Sequence, residues 1–128
     1  MKIKSDSLAV ITAATDQRTK EGFFVDAAGV IMASATAVPD GLITDGGDTG
    51  GITTLVPCAG GTPGIFGVKL SGTPGSVVKG SRLVLVNDGT AKIDPATGAR
   101  VQVAEAREAG TAGEIIQAVL INPPVVLS

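Results

Sequence analysis

The chain has 128 residues, is 44% hydrophobic but only 2% aromatic, and carries a formal net charge of −2. This length fits one domain with a core of aliphatic side chains, whereas the acidic balance and the lack of aromatic side chains argue against binding to nucleic acid. Because the chain has no histidine and one cysteine, Cys58, it cannot build a Ser-His-Asp site, a Cys-His site or an internal disulfide, so we expect neither enzymatic activity nor a cofactor.

The N-terminal segment Met1–Lys20 is mildly basic and contains one apolar run, Leu8–Ala14. Thr12 interrupts this run and charged residues follow it, which is not the pattern of a secretory signal. No run in the chain approaches the ~20 apolar residues of a membrane-spanning helix, so no contact with a membrane is expected. We interpret residues 1–20 as an N-terminal arm or a first strand, and residues 21–128 as a single β domain.

Short apolar runs separated by turn residues predict β-strands through the first half of the domain. The predicted strands are Glu21–Ala27, Val30–Ala35, Leu42–Thr44 and Ile52–Val56. The predicted connections are a turn at Ala28–Gly29, a turn at Val38–Gly41 and a flexible glycine-rich loop at Asp45–Gly51. The spacing of these turns favours short antiparallel strands over helices.

The second half follows the same pattern. Its predicted strands are Ile65–Leu70, Arg82–Asn87, Thr90–Asp94, Arg100–Ala104 and Glu114–Ile121. Asn87–Gly89 and Asp94–Gly98 are predicted as hairpin turns, Glu105–Gly113 as a polar loop or one helical turn, and Asn122–Pro124 as the end of the last strand. Turn signals every 8–12 residues predict an all-β fold, a small β-barrel or β-sandwich of short antiparallel strands with Gly/Pro-rich loops.

The residues that could serve in catalysis or metal binding are better explained by structural roles. Nothing near Cys58 in sequence would activate a thiol, so an inert, partly buried thiol is expected. Asp45 and Asp48 lie in a single glycine-rich loop with too few ligands for calcium, which predicts a solvated surface loop and no metal site. Asp94 and Glu105 could form a catalytic carboxylate pair, but the aromatic residues that usually line a sugar cleft are missing, so both are predicted to be solvated residues of a turn and a loop.

Residues that could contact a partner concentrate near the N-terminus. Phe23 and Phe24 are adjacent, so on a strand they point to opposite faces. One is expected in the core, and the other either anchors an interface or faces another layer of the fold. The basic residues of the leader are either simply solvated or dock on an acidic surface. The candidate partner-binding residues are Lys2, Lys4, Arg18, Lys20, Phe23 and Phe24.

From Phe24 onward the order of features follows a recognisable pattern. An Ala-Gly turn lies between the early strands, and a glycine-rich segment follows in mid-chain. The later motifs are Gly64–Phe66, Gly80–Leu83, a hairpin glycine at Gly89, Thr97–Gly98, Val101–Ala106 and Gly110–Glu114. With these features, the chain resembles the capsid decoration, or cement, proteins of tailed bacteriophages over most of its length.

The resemblance implies a compact β-barrel or sandwich that binds the outer surface of an icosahedral capsid. It implies the major capsid protein as the partner, a homo-oligomer with the trimer favoured, and synthesis in the bacterial host cytoplasm. The function that follows is non-enzymatic: bridging neighbouring capsid subunits as a structural protein of the virion. The alternative is a carbohydrate- or receptor-binding β module of a phage tail or fibre.

Overall fold

The computed structural model describes residues 9–13, 15–58 and 64–128. These ranges form nine β-strands and no helix, so they contain no helix that could cross a membrane. The strands are β1 (Ala9–Thr12), β2 (Phe24–Val25), β3 (Gly41–Asp45), β4 (Ile52–Pro57), β5 (Ile65–Lys69), β6 (Arg82–Leu85), β7 (Ala91–Ile93), β8 (Arg100–Ala106) and β9 (Ile115–Leu127). The prediction of an all-β fold is confirmed.

The strands form two antiparallel sheets. The smaller sheet has the order β1-β4-β3-β2, and the larger has the order β5-β9-β8-β6-β7. The two edges of the larger sheet meet at one point, because Leu70, which follows β5, forms a parallel bridge with Ala91 in β7. The larger sheet is therefore strongly curled, and the molecule is a small β-sandwich in which one layer approaches a barrel.

The main core lies between the two sheets and is built almost entirely from aliphatic side chains. Phe24, Leu42 and Val56 enter it from the smaller sheet. The larger sheet contributes Val68, Leu83, Leu85, Val101, Val103, Ala104, Ala106, Ile116, Ala118 and Leu120. Each fully buried Val, Leu or Ile contributes roughly 1.5–3 kcal/mol relative to an exposed side chain. Burial of these aliphatic side chains therefore stabilises the fold without any tyrosine or tryptophan.

A second apolar cluster covers the other face of the smaller sheet. Val25, Ile43 and Leu55 are buried there, and Phe23 and Ile31 pack against them. Adjacent residues of this sheet are thus buried on opposite faces. This arrangement explains why apolar residues in β2, β3 and β4 follow one another instead of alternating with polar ones.

The N-terminal segment, as far as it is described, is part of the fold. β1 pairs with β4 at the edge of the smaller sheet. The side chain of Gln17 is 2% exposed; its amide nitrogen donates to the Gly29 carbonyl at 2.7 Å, and its amide oxygen accepts from the Thr53 hydroxyl at 2.7 Å. The Gln17 backbone N–H also donates to the Gly47 carbonyl at 2.7 Å. One buried glutamine therefore joins the N-terminal segment, the early turn and the glycine-rich loop.

The two strands predicted at Glu21–Ala27 and Val30–Ala35 are much shorter in the structure. Only Phe24–Val25 is a regular strand, and Ile31 forms a single bridge with Val25. The cause is a tight turn directly after Val25, in which the Asp26 carboxylate accepts hydrogen bonds from the Ala28 and Val30 N–H groups. The predicted turn at Ala28–Gly29 is confirmed.

One of the two predicted hairpins is confirmed and the other is wrong. β6 and β7 pair across Asn87–Gly89, where Gly89 has φ 83° and the Val86 N–H donates to the Thr90 carbonyl at 2.9 Å. A side chain at Gly89 would also meet Ile31 and the Phe24 carbonyl, so both the positive φ and the lack of space require glycine there. The turn at Asp94–Gly98 joins strands that do not pair, because β6 lies between β7 and β8.

The prediction that Asn122–Pro124 ends the last strand is also wrong, since β9 continues to Leu127. Between the pairs Gln102–Val125 and Ala104–Leu120 the register shifts. There β8 has one residue, and β9 has the four residues 121–124. Pro123 and Pro124, which lack an N–H group, thus lie in an irregular stretch that makes no regular ladder, and pairing resumes after them.

Candidate partner-binding surface

The cysteine thiol is poorly suited to nucleophilic chemistry. Cys58 is 2% exposed and lies in the main core. Burial, with a smaller contribution from the negative charge of Asp40, raises the pKa of the Cys58 thiol to about 12. The thiol is therefore protonated near neutral pH, in agreement with the expected inert group.

Asp94 is not the solvated turn residue that the sequence predicts. Its side chain is 12% exposed and bonds the Arg100 guanidinium. It also accepts hydrogen bonds from the Gln102 amide at 2.6 Å and the Ala96 N–H at 2.8 Å. Burial has the largest influence and would raise the pKa of Asp94, but these hydrogen bonds and the positive charge of Arg100 together outweigh it, so the pKa is lowered. The carboxylate holds the turn before β8 in place.

The substitution Asp94→Asn is expected to make the fold less sensitive to acid. Because the pKa of Asp94 is lower in the folded chain, its carboxylate stabilises the fold above its usual pKa of 3.8, and this contribution is lost as the pH falls through the lower folded-state value. Thermal unfolding followed between about pH 7 and pH 2 measures the difference. Asp16→Asn is the control: the Arg18 hydrogen bonds also lower the pKa of Asp16, to about 2, but this pair is exposed and screened by solvent, so D16N should change the acid response less. The same loss of stability in acid for D94N and wild type would contradict this assignment.

The other acidic residues do not gather into a ligand set. Among the described residues, no three Asp, Glu or Cys side chains lie close enough to hold a metal ion. Glu105 lies on β8 and pairs with Arg82 and Arg107 at 3.4 and 3.6 Å. Asp45 and Asp48 are exposed, but their loop is folded onto Gln17.

Three of the predicted partner-binding residues come together on one turn. The Lys20 N–H donates to the Gln17 carbonyl at 3.0 Å, and the Phe23 N–H donates to the Lys20 carbonyl at 3.1 Å. The Lys20 ammonium lies 4.9 Å from the centre of the Phe23 ring, within the range of a cation–π contact. Arg18 is exposed on the same turn, where Asp16 accepts two hydrogen bonds from its guanidinium.

Phe23 and Phe24 point to opposite faces of the smaller sheet, as their adjacent positions predict. Phe24 is 0% exposed in the main core, so it is not available for contact with a partner. Phe23 is partly buried against the second cluster and remains the candidate contact residue of the two. Lys2 and Lys4 lie outside the described residues.

This turn lies directly beside β5. The Lys69 N–H donates to the Gly22 carbonyl at 2.9 Å. Gly22 has φ +86°, and a Cβ there would come within 2.7 Å of the Lys69 nitrogen. The close approach brings the segment that carries Lys20 against the strand that carries Lys69.

The outward-facing side of β5 and β9 carries two exposed isoleucines. Ile65 is 57% exposed and Ile115 is 51% exposed. Ile65 pairs with Val119, and Ile115 pairs with Lys69. The Ile115 side chain fills the space above Gly67, where an added Cβ would lie 2.8 Å from it. We call the residues Lys20, Ile65, Lys69, Ile115 and Val119 the β5 surface.

Sequence reasoning did not identify the apolar part of this surface. The available signal was weak: Ile65 and Ile115 are out of phase with the core-facing residues Phe66, Val68 and Ile116 of the same strands. Such a side chain is exposed only if no other segment covers that face. The tertiary structure, and not the local sequence, decides this.

Comparison with known proteins gives a structural similarity and no sequence match. No family model matches the chain, and no curated protein matches it in sequence. The crystal structure of the N base of head fiber gp8.5 from bacteriophage phi29 is similar to it, with a TM-score of 0.57 and 21% sequence identity. The similarity covers 89% of this chain and 92% of that chain. At this identity, the comparison shows that the two chains share a fold.

Proposed function

We propose that this chain is a structural protein of a phage virion that binds the outside of an icosahedral capsid and bridges subunits of the major capsid protein. The observation that carries the proposal is the shared fold, over nearly the whole chain, with the N base of a phage head fiber. The sequence pattern that resembles the capsid decoration proteins supports the same role.

Bridging has a simple physical basis. A protein that contacts two subunits of the assembled shell, but not free subunits, stabilises the assembled state by linkage. A specific contact of this kind needs about 1,000 Å² of buried surface or more. Assembly into a trimer would multiply modest contacts through a high effective concentration. The β5 surface, together with the turn of Arg18, Lys20 and Phe23, is the region we assign to this contact.

The proposal predicts that the purified protein binds capsid shells and that Lys20→Glu weakens this binding. Shells assembled from the major capsid protein of the same phage are mixed with wild type, K20E or Lys79→Glu, and bound protein is measured by co-sedimentation. K20E reverses a charge on the proposed contact and is expected to bind several-fold more weakly. K79E reverses an exposed charge on a different turn and should bind like wild type. Absence of wild-type binding would refute the proposal.

A second candidate is a module at the foot of a phage fibre, favoured by the description of the structural neighbour as part of a head fiber. Recognition of a carbohydrate by such a module has little support. The chain has three phenylalanines and no tyrosine or tryptophan; Phe24 is in the core, and Phe23 and Phe66 are partly buried in apolar clusters. Electron microscopy of particles separates the candidates, since a capsid-bridging protein lies on the shell between capsid subunits with nothing projecting from it, whereas a fibre module lies at the foot of a projecting fibre.

A further inference from the structure

The edges of the two sheets differ in how well they are covered. At β2, the Phe24 N–H donates to the Gly89 carbonyl at 2.8 Å and the Phe24 carbonyl accepts from the Met32 N–H at 3.0 Å. At β7, the Ala91 carbonyl accepts a hydrogen bond from the Ser71 N–H at 2.9 Å, and the Ile93 N–H donates to the Pro74 carbonyl at 2.8 Å. These two edges are closed to a further strand. Closing an edge in this way is a common protection against unwanted pairing.

Within the described part of the chain, the edge of β5 is unpaired over most of its length. The Leu70 N–H donates to the Glu114 carbonyl, and the Leu120 N–H donates to the Gly64 carbonyl, at 2.7 and 3.3 Å. In an antiparallel pair, the even-numbered residues of β5 therefore direct their backbone groups to β9. Ile65, Gly67 and Lys69 direct theirs outward. Among the described residues, only the Lys69 N–H has a partner there, the Gly22 carbonyl, and no strand of the described ranges pairs with this edge.

The side chains along this edge define what could pair with it. Ile65 and Ile115 are exposed and apolar, and Gly67 between them carries no side chain. Lys69 lies at one end of this edge. Its N–H group bonds the Gly22 carbonyl, and Lys20 precedes Gly22 by two residues. Glu21 is the acidic neighbour in sequence, and the Arg18 charge is offset by Asp16. Among the described residues, no carboxylate pairs with the Lys69 ammonium, so a carboxylate of a bound segment can pair with it.

We propose that the open edge of β5 binds an extended segment of the capsid partner, which adds to the larger sheet as a further strand. The segment carries apolar side chains opposite Ile65 and Gly67 and a carboxylate near Lys69. Backbone hydrogen bonds to Ile65 and Gly67 supply the pairing, and the side chains supply the selectivity. This inference rests on the proposed function and specifies its contact.

The test removes the outward N–H group of Gly67. Gly67→Pro deletes that donor without deleting a bond to β9, because residue 67 does not direct its N–H to β9. Gly67→Ala is the matched control, which adds a Cβ but keeps the donor. Binding to shells of the major capsid protein is expected to be about tenfold weaker for G67P than for G67A. Equal binding of the two variants would overturn the inference while leaving the proposed function intact.

Two further measurements distinguish strand addition from misfolding of G67P and from self-association of the chain. Hydrogen exchange of wild type should show the amides of Ile65 and Gly67 protected on shells and unprotected in the free protein, a readout that does not depend on how well G67P folds. Unchanged exchange on binding would overturn the inference. Mass measurement should give the same oligomeric state for wild type and G67P; if G67P alone dissociates, the edge pairs with a second copy of this chain and the inference fails. Absence of wild-type binding refutes both proposals.

Discussion

Replacing Phe24 with alanine is expected to lower the free energy of unfolding by about 3–5 kcal/mol. The ring is 0% exposed and lies in the main core between the two sheets. No other aromatic side chain is fully buried in the described part of the chain. A domain of this size has a total stability of about 5–15 kcal/mol, so F24A could leave a large unfolded fraction at 25 °C. Urea unfolding followed by far-ultraviolet circular dichroism measures the loss, since the chain has no tryptophan for fluorescence.

Phe23→Ala is the matched variant, because it removes the same ring one residue earlier. Phe23 is only partly buried at the edge of the second cluster, so its removal should cost clearly less stability than F24A. Under the proposed function, F23A also weakens binding to capsid shells, whereas the folded fraction of F24A binds normally. An equal loss of stability in the two variants would show that Phe23 belongs to the core as much as Phe24 does.

The sequence predicts those parts of the fold that depend on neighbouring residues. The alternation in Ile65–Leu70, the hairpin at Asn87–Gly89 and the turn at Ala28–Gly29 all follow from side-chain periodicity or backbone preference, and all are present. The failures concern strand partners that are distant in sequence. Nothing local to Asp94–Gly98 shows that β6 separates the strands on either side of it, and nothing local to Pro123 shows that pairing with β8 resumes beyond it.

For the candidate surface, too, the sequence predicts the features that depend on neighbouring residues and misses those that depend on distant ones. The sequence identifies Arg18, Lys20 and the pair Phe23–Phe24 as candidate contact residues, and the structure brings Arg18, Lys20 and Phe23 onto one turn. It does not identify Ile65 and Ile115, because an apolar residue in a β-strand is usually buried. Their exposure depends on the absence of a covering segment on that side of β5 and β9 among the described residues.

The loop Asp45–Gly51 is a third case, in which the sequence correctly predicts an irregular loop but not its role. Its glycines suggest freedom of movement, yet the backbone of this loop is bonded to a buried side chain and to the backbone of the N-terminal segment. Gly47 donates to the Thr53 hydroxyl at 3.1 Å and accepts from the Gln17 N–H at 2.7 Å. The glycines are needed because two pieces of backbone approach each other closely.

Gly46→Ala is therefore expected to be strongly destabilising, although it adds a single methyl group to a loop. A Cβ at Gly46 would lie 1.7 Å from the Gln17 carbonyl oxygen and 2.5 Å from its carbon. These are backbone atoms, so relief requires the loop to move away from Gln17 and breaks the hydrogen bonds that join them. We expect a loss of about 2–4 kcal/mol, seen as a fall in melting temperature of roughly 10 °C.

Gly72→Ala provides the control, because a Cβ there has no atom within 4 Å and Gly72 does not have a positive φ. G72A should melt within a few degrees of wild type, or slightly above it, since alanine reduces the entropy of the unfolded chain. If G46A were as stable as G72A, the loop would be mobile and the contact with Gln17 would not hold it. The large effect expected for G46A separates a loop that anchors the N-terminal segment from one that is merely solvated, and it does so without depending on any assumption about the partner.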